Sequence, residues 1–265
     1  MAIRRCAGAW CGILFTCSEA GSAPAARSAD EGGLLDRVAQ WVAGAELRPL
    51  LGRRTTRGRL LDLGAGCGRR SLAAVRLGHR VTALEPDPQE AERARRRLAG
   101  RATVVESTLE DAEGLGRFES VMAWHVLEHL ADPDAALRAI RRHLAPGGRV
   151  VLAVPNAASA EAALFDGRWH GWEPSRHRWH LRRAVLGRMM NAAGFVDVRV
   201  RAAGGWRYPA GLAYSLAPSL DPQVTSGQGW IGPALAAGLV PIAALTAAAG
   251  LGPQLIATGR APDER

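Results

Sequence analysis

Residues 60–87, LLDLGAGCGRRSLAAVRLGHRVTALEPD, decide the fold of this chain. Leu60 to Leu63 is a short, mostly apolar run that ends in Gly64-Ala65-Gly66-Cys67-Gly68, where glycines let the backbone turn sharply and approach a ligand without a Cβ in the way. Ser71 to Leu77 reads as the following helix. A second apolar run, Val81 to Leu84, ends at Glu85 about twenty residues beyond the loop, where a carboxylate can accept hydrogen bonds from both hydroxyls of a ribose. Strand, glycine loop, helix, strand and acid together make the unit of a Rossmann-like fold for a nucleoside-bearing cofactor.

A dinucleotide dehydrogenase wants G-x-G-x-x-G, with its third glycine packing helix on strand. This loop is G-x-G-x-G followed by Arg69 and Arg70. With Asp62 before it and Glu85 after it, the stretch resembles the first motif of the class I S-adenosylmethionine-dependent methyltransferases. That resemblance implies a fold and a cofactor: an α/β, Rossmann-like seven-stranded, mostly parallel sheet with helices on both faces, binding S-adenosyl-L-methionine. It further implies that Asp62, Gly64, Ala65, Gly66 and Gly68 hold the methionyl end, that Glu85 and Pro86 hold the ribose, and that Trp124 lines the same site.

Further along, Ala102 to Val105 reads as the third strand, and Glu106 to Asp111 resembles the adenine-contacting segment of that family, with Thr108 and Leu109 as the contacts. Phe118 to Trp124 reads as the fourth strand and Pro133 to Leu144 as an amphipathic helix. Pro146-Gly147-Gly148 reads as a stop before a fifth strand, Val150 to Val154. The phrase HVLEHLADPDAALRAIRRHLAPGGRVVLAVPN, residues 125–156, resembles the small-molecule enzymes of the quinone O-methyltransferase kind. A helix over Arg182 to Ala193, a strand over Val196 to Val200 and a last strand over Leu255 to Thr258 continue the pattern, so the resemblance covers Leu34 to Arg260. The expected organisation is a degenerate or disordered leader at 1–30 and a methyltransferase domain at 31–265, with an apolar helical insertion at 204–253 before the last strand.

The net charge of +9 invites a nucleic-acid reading. All 34 basic residues are arginine, however, scattered in short clusters with little aromatic interleaving, which is the pattern of solvated helix faces. A small-molecule acceptor is expected instead, and no nucleic acid. Four cysteines, Cys6, Cys11, Cys17 and Cys67, are too few for a secreted disulfide framework in 265 residues, and a cytoplasmic location is expected. Residues 3–15 resemble half of a zinc ribbon, but three unevenly spaced thiols do not complete a tetrahedral site.

Five of seven histidines, His125, His129, His170, His177 and His180, follow the fourth or fifth strand, at the end of an open parallel sheet where ligands bind. His125, Glu128 and His129 are spaced to share a helical face. The related enzymes carry E-x-x-E-H there with a divalent metal, whereas His125 replaces the first carboxylate, so no metal is assigned. The string is also the inverted zinc-protease signature, a reading that needs a third ligand and a different fold. His125, His177 and His180 are the candidate catalytic bases, and Trp169, Trp172 and Trp179 a candidate aromatic wall.

Pro222 to Gly259 carries no charged residue. Gly232-Pro233 and Pro241 interrupt it, favouring short apolar helices over one membrane span. Cover for a hydrophobic acceptor, peripheral membrane contact through 222–259 and a dimer contact all remain open for it. The expected function is methylation of a small hydrophobic acceptor, most simply at oxygen. The alternatives are a non-catalytic S-adenosylmethionine-binding or membrane-associated partner protein and a Rossmann NAD(P)-dependent oxidoreductase.

Overall fold

Apolar runs of four to seven residues alternate with amphipathic helices, and the runs become a parallel sheet buried on both faces. The computed structural model describes residues 2–5, 14–17, 33–51, 58–112, 114–204, 215–216 and 240–263. In chain order the elements are β1 (Ala2–Arg5), β2 (Leu14–Cys17), α1 (Leu34–Leu51), β3 (Arg59–Leu63), α2 (Arg69–Arg76), β4 (Arg80–Leu84), α3 (Pro88–Leu98) and β5 (Thr103–Val105). There follow β6 (Phe118–Trp124), α4 (Pro133–His143), β7 (Leu144–Pro155), α5 (Ala160–Phe165), β8 (Trp179–His180), α6 (Arg183–Ala192), β9 (Val196–Ala203), α7 (Val240–Ala248) and β10 (Gln254–Arg260).

The seven-stranded sheet has the order β5-β4-β3-β6-β7-β10-β9, and β5, β4, β3, β6 and β7 pair in parallel. Strand order reverses at β3, so the loops leaving β3 and β6 meet in the crevice that such sheets use for ligands. Leu60, Leu61, Val121, Met122 and Val150 to Ala153 are fully buried. Asp87 caps α3 by accepting from the amides of Gln89 and Glu90, and Asp132 caps α4 by accepting from Ala135, each with proline in the first turn. The last strand, β10, lies between β7 and β9. β7 begins at Leu144, earlier than the expected Val150, and Gly147 and Gly148 exchange backbone bonds with Pro262 and Ala261 beyond β10.

The chain divides into two units, residues 30–153, 187–199 and 257–265 in one and residues 1–29, 154–186 and 200–256 in the other. In the second, β1 pairs antiparallel with β2, and β2 with β8. Residues 2–5 and 14–17 of the segment read as a leader are therefore strands, and its other residues lie outside those described. Of the apolar insertion at 204–253, residues 205–214 and 217–239 also lie outside them. No helix among the described residues is long and apolar enough to cross a membrane.

Candidate active site

Gly64, Gly66 and Gly68 all take left-handed backbone angles, with φ of +60°, +53° and +74°. At Gly64 a Cβ would lie 2.6 Å from Val126 Cγ2, so the glycine loop and the turn after β6 are in direct contact. At Gly68 a Cβ would crowd the Ala94 backbone at 3.2 Å, which lets α2 pack closely on α3. Gly66 has nothing within 4 Å of that position and faces open space.

Glu85 holds this loop. Its Oε2 accepts from Gly66 N–H at 2.7 Å and its Oε1 from Asp87 N–H at 3.0 Å. Burial pushes the carboxyl above its ordinary range, opposed by those two amides. Each oxygen keeps a second lone pair for a ribose hydroxyl. Asp62, at the end of β3, accepts from Ser71 Oγ–H at 2.5 Å, tying the strand to the first turn of α2. Its burial pushes the carboxyl up to about 7, against the pull of Ser71 and Arg70.

Trp124 ends β6 beside the glycine loop, since Ala123 pairs with Leu63. The Arg70 guanidinium lies 4.0 Å from the centroid of its ring, and its indole Nε1 is buried without a hydrogen-bond partner. Ala65 N–H donates to Leu84 O, and Pro86 forms the bend between Glu85 and Asp87. Thr108 lies in a turn after β5, its hydroxyl donating to Asp111 Oδ2 at 2.7 Å and accepting from the Asp111 amide, with Leu109 next to it.

The helix expected to align His125, Glu128 and His129 is absent. Residues Leu127–His129 form one 3₁₀ turn, closed off because Asp132 and Pro133 start α4 immediately afterwards. His125 sits before that turn with φ +56°. Its ring nitrogen Nδ1 lies 3.0 Å from Oε1 of Glu128, whose side chain is fully buried, while the His125 side chain is 42% exposed. The buried Glu128 carboxyl thus orients a half-exposed imidazole, an arrangement able to accept a proton.

His177 and His180 belong to the other unit, where both are buried. His177 faces Gly171 O at 3.0 Å through Nδ1 and Glu173 Oε2 at 3.2 Å through Nε2. Trp172 stacks edge-on against Trp169 and against His180, with centroids 4.9 and 5.0 Å apart. The structure thus brings two of the three expected aromatic rings together, with His180 in place of Trp179. Sequence reasoning missed Glu161 on α5. Its Oε2 accepts from Trp169 Nε1 at 3.0 Å, its Oε1 is buried without a partner, and burial pushes the carboxyl up to about 7. No motif marks it, for EAALF reads as ordinary helix. Ser71 was visible in the sequence as part of a helix, but its bond to Asp62 was not.

The sheet order, the glycine loop and the acid that grips it define a class I S-adenosylmethionine-dependent methyltransferase fold. A family model described as a methyltransferase domain matches residues 36–200, and the chain belongs to that family. The chain is similar to the ubiquinone biosynthesis O-methyltransferase of Xanthomonas oryzae pv. oryzae, 39% identical over 113 residues, 40% of this chain and 46% of that protein. Its counterpart in Caulobacter sp. is 35% identical over 132 residues, 46% of this chain and 52% of that protein. The chain thus spans about half the length of the curated relatives it matches. Among solved structures, Burkholderia thailandensis 1,6-didemethyltoxoflavin-N1-methyltransferase, with S-adenosylhomocysteine bound, shares the fold at TM-score 0.52 and 22% identity over 86% of this chain and 80% of that one. A SAM-dependent methyltransferase from Archaeoglobus fulgidus does so at 0.55 and 16%, over 85% and 96%.

S-adenosylmethionine is the cofactor of this family, and the residues present fit it. Gly66 opens onto free space, the Glu85 carboxylate has lone pairs to spare, and the orphaned Trp124 indole N–H offers a donor at the strand end.

Proposed function

We propose that this protein methylates a hydroxyl oxygen of a small, hydrophobic acceptor, with His125 as the general base. When bound, S-adenosylmethionine supplies a methyl group already activated by positive sulfur. Asp62, Gly64, Ala65, Gly66 and Gly68 hold its methionyl end, Glu85 and Pro86 its ribose, Thr108 and Leu109 its adenine, and Trp124 the wall between cofactor and acceptor. With an acceptor hydroxyl held facing the methyl of a bound cofactor, His125 Nε2 would take the hydroxyl proton as the oxygen is methylated. Orientation of the reactants supplies up to roughly 7–11 kcal/mol and the base on the order of 10²–10⁴-fold.

The observation that carries this reading is the His125–Glu128 pair on the turn that touches Gly64. His177 and His180 are the other candidate bases, and their burial and existing ring contacts count against them. The relatives' role in ubiquinone biosynthesis supports an apolar, hydroxylated acceptor. So do Leu164, Ile242, Leu245 and Leu251, exposed apolar side chains that suit an acceptor drawn from a membrane through 222–259. Of that segment, residues 222–239 lie outside those described. No metal is assigned and no nucleic acid is expected as substrate.

The test is transfer of labelled methyl from S-adenosylmethionine to a panel of alkylated phenols and catechols. His125→Ala should lose 10²–10⁴-fold in kcat with cofactor affinity retained, and Glu128→Gln should lower kcat and shift its pH profile, on the order expected for a removed base and its holder. An unchanged kcat in His125→Ala would move the base to His177 or His180.

A further inference from the structure

Helices α1, α2 and α3 border an open groove of about 480 Å³ on the unit that carries the glycine loop. Arg37, Arg76, Arg96 and Arg97 line it, with Asp36 as the acid and Leu72 as the apolar contact. Asp36 is already spent. It accepts from Arg69 at 2.9 Å and from Arg97 at 2.8 and 2.9 Å; burial would raise its carboxyl, but those two guanidiniums hold it below the ordinary carboxylate range. With Asp36 engaged, Arg37 and Arg76 leave the groove positive.

Arginines are common on this chain, and most on α3 are neutralised locally: Arg93 by Glu90, Arg95 by Glu106, and Arg96 by Glu92 at 3.5 Å. Arg37 and Arg76 differ, for neither side chain has a hydrogen bond or ion pair among the described residues. One turn along α1 from Arg37, on the same helical face, Trp41 is 74% exposed, and Val38 beside it is 45% exposed. An exposed tryptophan has an apolar body and a polar N–H, and it settles at the level of lipid headgroups. Guanidinium forks grip phosphate bidentately.

We propose that the groove lined by Arg37 and Arg76, with Trp41 and Val38 exposed on the same helix as Arg37, docks this protein on an anionic membrane by binding a phospholipid phosphate. The charge complementarity and the exposed Trp–Val pair select a lipid over a free phosphate ester, because only a lipid surface satisfies both. The docking face is separate from the residues assigned to cofactor and base, and its test does not depend on the acceptor.

The full-length protein would be co-sedimented at low ionic strength with vesicles of phosphatidylcholine alone and of phosphatidylcholine mixed with phosphatidylglycerol. Binding should require the anionic lipid and fall with added salt. An Arg37→Gln/Arg76→Gln variant should lose roughly 30-fold in partitioning, at about fivefold per basic residue, and Trp41→Ser should lose further. S-adenosylmethionine affinity, measured on the same preparations, should not change, which shows that the variants fold and that the cofactor reading stands apart. Ile242→Ser/Leu245→Ser should leave the anionic preference intact. Equal binding to neutral vesicles, an unaltered anionic preference in the double arginine variant, or glycerol phosphate binding without vesicle binding would each overturn the assignment.

Discussion

Glu85→Gln probes the cofactor site most directly, because the carboxylate has two tasks. Its oxygens accept from Gly66 and Asp87 amides in the protein itself, at 2.7 and 3.0 Å, and the ribose hydroxyls are to use the lone pairs left over. Glutamine keeps one acceptor oxygen and replaces the other by an NH₂, which faces a backbone N–H donor to donor. A buried amide left unmade costs about 1–3 kcal/mol, and unfolding free energy should fall by that amount. At about 1.4 kcal/mol per decade, loss of the charged acceptor for ribose should weaken S-adenosylmethionine by roughly 10- to 150-fold. Calorimetric titration and denaturant unfolding of one preparation read both quantities. Weaker binding with unchanged stability would refute the loop-holding role; reduced stability with unchanged binding would refute the ribose role.

Gly68→Ala meets the Ala94 backbone and a left-handed φ, so it should destabilise by about 1–3 kcal/mol in denaturant unfolding. Gly66→Ala has room for its Cβ, and should cost less stability while weakening cofactor binding more. Asp62 and Glu161 both have carboxyls pushed up to about 7 by burial, above their unfolded values of 3.8 and 4.5. The folded state therefore binds those protons more tightly. The resulting stability is fully present below the unfolded values and is lost as pH rises to 7, by up to about 4 kcal/mol for Asp62 and about 3 for Glu161. Denaturant unfolding from pH 4 to 7 should show the difference between wild type and Asp62→Asn, or Glu161→Gln, shrinking with that sign. A difference independent of pH would mean that these carboxyls titrate normally.

The glycine loop, Asp62, Glu85 and the five parallel strands were legible because each is a local signal: an apolar run, a turn residue, an acid at fixed spacing. The His125 turn was not read correctly, since i, i+3 spacing suggested a helix that the Asp132 cap and Pro133 leave no room to form. The start of β7 depends on partners more than a hundred residues away, Ala261 and Pro262, which no local pattern contains. The pairing of residues 14–15 with 179–180 is likewise non-local, whereas the burial of Glu161 beneath Trp169 is close in sequence but carries no motif. Candidate bases could be named from position in the fold, but only packing separates a half-exposed His125 from a buried His177.

The place of β10 also bears on how the chain folds as it leaves the ribosome. β7 and β9 flank a slot that only residues 254–260 fill. Until that stretch emerges, the apolar β7 and the amphipathic β9 present bare hydrogen-bonding edges, and the uncharged run at 222–253 has already been made. Closing that long loop is slow relative to local contacts. Sheet completion is then a late step, with a window in which nascent chains are prone to pair with one another or to seek a chaperone.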